Sequence, residues 1–162
     1  MIEKKANIRI ERLAEPKPEV VEALNIWEND PAIIPFIRPI SGKEDLSKRK
    51  EITEESLRRR LETHEEYLIY LREQLIGQLS IQIDPGHLAK KVQGTAWIGI
   101  YIGEKEHRGK GAGTLALKHA ESILRLRGIR RVELGVFEFN KAAYRLYRRL
   151  GYEEFIRLDE LA

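Results

Sequence analysis

The sequence predicts an α+β fold, in which helices flank a mixed and mostly antiparallel central sheet. Two patterns indicate it. After a first strand and two helical patterns, the chain carries three runs in which apolar and polar residues alternate, as is typical of half-buried strands. Further on, strand and helix patterns alternate, so a strand-helix-strand crossover must join the fourth and fifth strands in parallel.

The composition is that of one ordinary domain covering residues 1–162. Hydrophobic residues make up 42% of the chain, which excludes a disordered chain, and no apolar run approaches the roughly 20 residues that span a bilayer. Residues 1–6 are charged rather than apolar, which argues against a secretory signal, so we expect a cytoplasmic protein with no membrane partner. The chain has no cysteine, which excludes disulfides, thiolate metal sites and a cysteine nucleophile.

The charge balance argues against a nucleic-acid-binding domain. The net charge is only +3, from 29 basic and 26 acidic side chains. Two basic clusters, Lys48-Arg49-Lys50 and Arg58-Arg59-Arg60, are interleaved with glutamates, so we assign them to a solvated helix face. No nucleic-acid partner is therefore expected.

The elements of the first part follow from periodicity and from turn residues. The irregular connection is unusually long for a compact domain, and such loops are often functional. In chain order, we predict a strand around residues 8–10, a helix over 20–27, an irregular connection over 31–52, a helix capped by Thr53, and strands over 67–71, 79–83 and 96–102.

The elements from about residue 111 onwards are predicted from the same kinds of signal. Gly128 stands where a left-handed helix cap belongs, and Asn140 is a predicted N-cap. We predict a helix from about Gly111 to Arg127, a strand over 132–136, a helix from Asn140 to Gly151, and a short last strand over 152–158.

The segment between the fourth strand and its helix holds three glycines in five positions, 109–113. Glycine disfavours helix formation, so its repetition here indicates another requirement. The N–H groups at a helix N-terminus form an anion site, which a phosphate approaches most closely where there is no Cβ. We therefore predict a pyrophosphate site, with Arg108 and Lys110 adding positive charge beside it.

These glycines have other interpretations. The first, which the sequence leaves open, is a tight turn that simply starts a helix and needs no ligand. The run 111–116 fits the dinucleotide fingerprint G-x-G-x-x-A, but hairpin-like strands precede it instead of βαβ units, and too little chain follows it. A Walker-type loop is excluded, because no glycine stands five residues before a Gly-Lys-Ser/Thr triplet.

Arg108, Gly111 and Gly113 match a signature loop of Arg or Gln, two residues, Gly, one residue, and Gly or Ala, and in this the chain resembles the GNAT acetyltransferases. The resemblance is close over residues 94–155 and elsewhere holds only in element order. The run 27–31, Trp-Glu-Asn-Asp-Pro, resembles the branch with protein N-terminal and polyamine acetyltransferases. The family's pattern for the next helix is matched by Asn140, Ala143, Leu146-Tyr147 and Gly151-Tyr152.

The resemblance implies a GNAT-like acyl-CoA N-acyltransferase fold that uses acetyl-CoA as co-substrate and no metal. It implies that the main chain of Ile100 and Ile102 hydrogen-bonds the pantetheine arm, and that Asn140 touches the cofactor or orders its helix. The implied pyrophosphate loop consists of Arg108, Gly109, Lys110, Gly111, Ala112, Gly113 and Thr114.

Tyr147 is the catalytic residue that the resemblance implies, with its hydroxyl near the thioester sulfur. A phenol in that place can protonate the departing thiolate. The alternative is that Tyr147 is only the aromatic residue of a buried helix stripe. Because the chain has no cysteine to carry an acyl group, transfer would be direct.

A general base is not assigned. Some relatives carry a Glu on the fourth strand about ten residues before the signature Arg, where this chain reads Trp97-Ile98-Gly99. A water chain, Glu104, Glu106 or a residue of the 31–52 connection would have to serve instead, or the amine would bind already neutral. Four histidines lack metal-ligand spacing and are expected to be ordinary surface residues: His64, His87, His107 and His119.

The predicted function is transfer of acetyl from acetyl-CoA onto a primary amine of a small molecule, a protein N-terminus or a lysine. The alternative is a non-catalytic CoA-binding sensor or interaction module on the same fold. Residues 152–162 suffice for one last strand where the family has two, which leaves a sheet edge exposed. We predict that a symmetric homodimer covers this edge. The alternative is a shortened sheet whose edge is kept in water by Glu153, Glu154 and Arg157.

Overall fold

A computed structural model of the chain describes residues 7–37, 49–135 and 140–154. The described residues form a five-stranded sheet in the order β1-β2-β3-β4-β5. Neighbouring strands are antiparallel from β1 to β4, and β5 is parallel to β4, as predicted. The strands are β1 (Ile8–Arg12), β2 (Glu65–Leu71), β3 (Gln74–Ile83), β4 (Thr95–Ile102) and β5 (Arg131–Glu133).

The helices begin where their capping residues allow. Thr53 forms a reciprocal capping box with Ser56, and Gly128 takes a positive φ of 79° just beyond the glycine-rich helix, as predicted. None of the described helices is long and apolar enough to cross a lipid bilayer. They are α1 (Pro18–Trp27), α2 (Ile34–Ile37), α3 (Glu54–Thr63), a 3₁₀ turn (Lys105–His107), α4 (Ala112–Leu126) and α5 (Lys141–Arg149).

The sheet separates two apolar clusters. On one face α4 packs against β2, β3 and β4 through its buried stripe of Leu117, Ala120 and Leu124, and residues of α5 line the margin of this cluster. On the other face, α1 and α3 cover the sheet through residues that include Leu24 and Leu57. The helical spacing in the sequence therefore identified the buried sides correctly.

Three stretches differ from the sequence-based prediction or lie partly outside the described residues. The short helix α2 lies within the connection predicted as irregular, and residues 38–48 lie outside the described part of the chain. Strand β5 ends at Glu133, short of the predicted 136, and the chain then packs against Trp97, where a Cβ on Gly135 would lie 2.8 Å from the ring. Residues 152–154 are not strand, and the rest of the two predicted strands, residue 136 and residues 155–158, lies outside the described residues.

Arg60 differs from the expectation for its basic cluster. Arg58 is on the exposed side of α3 and pairs with Glu54 at 2.8 Å. Arg60 instead donates hydrogen bonds of 2.9 and 3.0 Å to the two carboxylate oxygens of Glu28 on α1. Residues three apart share a helix face, and Arg60 lies three residues after the buried Leu57. The assignment of Arg60 to a solvated face is therefore wrong.

The contact between Gly103 and Trp27 gives a test of the packing. An ideal Cβ on Gly103 would lie 2.1 Å from the Trp27 ring, whereas one on Gly99 would meet no atom within 4 Å. Since overpacking costs about 1–3 kcal/mol, Gly103→Ala should lower the free energy of unfolding by at least about 1 kcal/mol, and Gly99→Ala should not. Urea denaturation measures both, and equal stability of the two variants would contradict this packing.

Candidate active site

The candidate site begins where β4 and β5 part. Their pairing covers only Thr95–Trp97 of β4. The N–H of Gly103 donates to the carbonyl of Ile76 on the β3 side at 2.7 Å. Because main-chain groups of successive strand residues point to alternate sides, those of Ile100 and Ile102 point away from β3. In the part of the chain that the structure describes, no strand pairs with β4 on that side beyond Trp97, and this open side of β4 is the gap between β4 and β5. The family resemblance places the pantetheine arm there.

The glycine-rich loop lies beside this gap and leaves main-chain groups open. Gly109 and Gly111 have φ of 71° and 93°, a region that side chains rarely adopt. The N–H groups of residues 112–114 belong to the first turn of α4 and have no carbonyl one turn earlier in that helix. A Cβ on Gly109, Gly111 or Gly113 would meet no atom within 4 Å. The loop therefore offers the open, N–H-rich surface that suits an anion.

Arg108 turns its side chain back onto β4. Its Nε donates to the carbonyl of Ile102 at 2.8 Å, and a terminal nitrogen donates to the carbonyl of Gly103 at 2.9 Å. The guanidinium also lies 4.0 Å from a carboxylate oxygen of Asp30. Arg108 thus fixes the start of the loop against the strand, while the exposed Lys110 extends a positive charge from it.

Trp27 connects α1 to the same loop. Its ring lies against Gly103, and its Nε1 donates to a carboxylate oxygen of Glu104 at 3.1 Å. Glu104 was one candidate for the base, and it is already bonded to the indole. Glu106, another candidate, is exposed on the 3₁₀ turn.

Tyr147 lies half-buried on α5, at the margin of the α4 cluster. Burial raises the pKa of its phenol above the ordinary value, so the hydroxyl stays protonated at neutral pH and can donate a proton. The ring of Tyr152 packs edge-on against it at 6.2 Å between centroids, and the Tyr152 hydroxyl donates to Glu121 on α4 at 2.6 Å. Glu121 and Tyr152 thus support Tyr147 in a way that the sequence pattern did not indicate.

Asn140 caps α5, as predicted. Its side-chain oxygen accepts a hydrogen bond from the N–H of Ala143 at 3.2 Å. Of the two roles considered for Asn140, ordering its helix is the one with a contact in the described residues.

A buried polar cluster on the opposite face of β4 was not identified from the sequence. Arg60 binds Glu28, the hydroxyl of Tyr101 donates to Glu28 at 2.8 Å, and the Arg60 Nε lies 3.9 Å from Glu66. Gln78 donates a hydrogen bond to Glu66. Burial raises the pKa of Glu66 to about 8, against the opposing effect of Arg60. The pairing of β2, β3 and β4 brings Glu66, Gln78 and Tyr101 together, and α1 and α3 bring Glu28 and Arg60 to them. No local motif could have shown this cluster.

Comparison with known proteins identifies the family of the chain. The sequence profile of the Acetyltransferase (GNAT) family matches residues 22–152. The uncharacterized N-acetyltransferase YycN of Bacillus subtilis is 33% identical over 111 residues, covering 65% of this chain and 67% of that protein. A probable spermine N(1)-acetyltransferase of Bacillus subtilis subsp. natto is 29% identical over 92 residues, covering 56% of this chain and 60% of that protein.

A solved structure shares the fold. The crystal structure of PaiA N-acetyltransferase from Thermoplasma acidophilum, in complex with coenzyme A, superimposes with a TM-score of 0.65. It is 21% identical and covers 90% of this chain and 89% of that chain. Since the family profile spans most of the chain, the chain belongs to the GNAT family of acetyltransferases.

Proposed function

We propose that this protein transfers the acetyl group of acetyl-CoA directly onto a primary amine. The observation that carries the proposal is the gap between β4 and β5, which faces main-chain groups of β4 and continues into the open glycine loop at the start of α4. When bound, acetyl-CoA supplies an acetyl group activated as a thioester. The coenzyme A complex of the Thermoplasma protein supports the use of this co-substrate on the shared fold.

In this proposal, the main chain of Ile100 and Ile102 binds the pantetheine arm, and Asn140 orders α5 beside it. The loop binds the pyrophosphate mainly through main-chain N–H groups, because its glycines leave that side open. Arg108 contributes through the position of its main chain, since its guanidinium is bonded to β4. The proposed pyrophosphate loop is Arg108, Gly109, Lys110, Gly111, Ala112, Gly113 and Thr114.

Tyr147 is the proposed general acid. Its phenol is protonated at neutral pH, since its pKa lies above the ordinary tyrosine value, and it holds a proton for the departing thiolate. The ring of Tyr152, whose hydroxyl is bonded to Glu121, packs edge-on against the Tyr147 ring. Preorganisation of this kind lowers the cost of reaching the reactive geometry.

The acceptor is proposed to be a primary amine, carried by a small molecule, a protein N-terminus or a lysine. The similarity to a probable spermine N(1)-acetyltransferase supports the small-molecule class first. A panel of polyamines, aminoglycosides and peptides, assayed by release of free CoA thiol, tests the function. We expect turnover with at least one class. Binding of acetyl-CoA without turnover on any amine would favour the alternative, a non-catalytic CoA-binding module.

Three further features stay predictions: a single domain over residues 1–162, a cytoplasmic location and a symmetric homodimer. The dimer was inferred from the exposed sheet edge, and the described part of β5, Arg131–Glu133, does lie at the end of the strand order. Light scattering over a concentration series would measure the oligomeric state.

Gly113→Glu tests the pyrophosphate assignment. Gly113 lies in the first turn of α4 without a positive φ, and its Cβ would point into open space. A carboxylate at a helix N-terminus does not destabilise the helix, but it would repel a phosphate. We expect acetyl-CoA affinity to fall at least about 100-fold in calorimetric titration, since like charges brought together cost several kcal/mol. Gly86→Glu, on an exposed turn, is the control, and equal affinity of the two variants would reject the assignment.

Tyr147→Phe tests the general acid. The change keeps the ring and its packing on Tyr152 but removes the hydroxyl, so we expect turnover to fall about 100-fold with little change in acetyl-CoA affinity. Tyr144→Phe is the matched control, because the Tyr144 hydroxyl bonds to Glu154 on the surface. Steady-state kinetics and titration measure both effects. Undiminished turnover would show that Tyr147 only packs.

A further inference from the structure

Glu66 on β2 is a buried acid for which the proposed mechanism has so far no use. Its side chain is 2% exposed, under the cover of α1 and α3. A carboxyl group buried to this extent is costly unless it is paired or protonated. Burial and the neighbouring Glu28 raise its pKa to about 8 while Arg60 lowers it, so Glu66 exchanges its proton near neutral pH.

A row of residues leads from Glu66 to β4. Glu66 is paired with Ser80 on β3, and Ser80 is paired with Gly99 on β4. Residues paired directly across a sheet have side chains on the same face, about 5 Å apart. Ser80 and Gly99 are half-buried, and a Cβ on Gly99 would meet no atom within 4 Å. The row thus runs from a buried acid, past a hydroxyl, to an open position on the strand that borders the proposed cofactor gap.

Two other carboxylates on the α1 and α3 side of the sheet also accept hydrogen bonds. Glu28 accepts hydrogen bonds from Arg60 and Tyr101, and Glu104 accepts one from Trp27. The β4 residues on this face are Thr95, Trp97, Gly99 and Tyr101, and none of them carries a carboxylate. Glu66 also accepts a hydrogen bond, from Gln78, but it differs from Glu28 and Glu104 in the row of cross-strand pairs that joins it to β4 through Ser80.

We propose that Glu66 accepts the proton of the incoming ammonium group through the Ser80 hydroxyl or a water in the space above Gly99. The inference rests on the proposed function. Glu66 does not touch the substrate in this scheme, so its role is that of a positioning residue that stores the proton.

The proton balance is complete with the residues present. The ammonium loses one proton towards Glu66, and its freed electron pair forms the bond to the thioester carbonyl carbon. The carbon–sulfur bond breaks, and the sulfur takes its proton from Tyr147. The second proton of the attacking nitrogen returns the Tyr147 phenolate to phenol. The products are an amide, a thiol and a protonated Glu66, which releases its proton to solvent.

The surroundings of Glu66 suit both protonation states. An amide can donate through nitrogen or accept through oxygen, so Gln78 can bond either the carboxylate or the carboxylic acid. Arg60 on α3 lies between Glu66 and Glu28 of α1, and Tyr101 of β4 completes the charged and titratable groups facing it from the packed elements. His64, which follows α3 and directly precedes β2, has a pKa lowered mainly by burial.

The test compares Glu66→Gln with the wild type over pH 6 to 10, with an amine found in the panel. We expect kcat/KM of the variant to be about 100-fold lower at pH 7, with the deficit shrinking towards pH 10 as the amine itself loses its proton. Glu62→Gln, an exposed acid on α3, is the control and should follow the wild type. A variant profile parallel to that of the wild type, or undiminished activity at pH 7, would overturn the role of Glu66.

A second measurement needs neither cofactor nor activity. The ¹³C carboxyl resonance of Glu66 in the wild type, assigned by its absence from Glu66→Gln, should titrate with a midpoint near 8. A midpoint near the ordinary glutamate value of about 4.3 would overturn the proposal. If the wild type binds acetyl-CoA but acetylates no amine, the proposed function fails and this role fails with it. If the wild type is active and only the Glu66 results disagree, the proposed function stands.

Discussion

The arrangement of the candidate site depends on how the last residues of β4 are held. A strand that extends beyond its neighbour leaves main-chain N–H and C=O groups without a strand partner, and these groups need other partners. Arg108 supplies two such bonds, to the carbonyls of Ile102 and Gly103, and so fixes the direction in which the glycine loop leaves the sheet. Trp27 lies on Gly103 from the other side, which excludes any larger residue there. Strand, loop and α1 are therefore joined at one point.

This junction divides β4 into two chemically different faces. Towards α4 the strand buries isoleucines in an apolar cluster. Towards α1 and α3 it meets two acids and an arginine, a grouping that rarely stabilises a fold as well as apolar residues would. A stable core alone therefore does not account for Glu28, Arg60 and Glu66. Their position beside an open part of the strand is better explained by chemistry at the site.

The sequence predicted the features that depend on residues close together in the chain. It missed features that depend on contacts between residues far apart in the chain. The cap at Asn140 and the glycines before α4 are local features, and all were predicted. Family resemblance, not periodicity, indicated Tyr147. The inward turn of Arg60 was missed, because an arginine that follows two others on a charged helix is expected to be solvated until its partner Glu28 is known. The early end of β5 was missed because residues 132–136 alternate as a strand does.

The direction of the main chain in β4 also limits which substitutions the strand can accept. The side chains of Ile100 and Ile102 lie at the apolar cluster, while their N–H groups face the gap. Every amino acid except proline carries the same N–H group. Apolar residues of similar size can therefore replace one another here, and the edge that faces the gap keeps its chemical character. Proline is the exception, since it would remove a donor without changing the hydrophobicity of the strand.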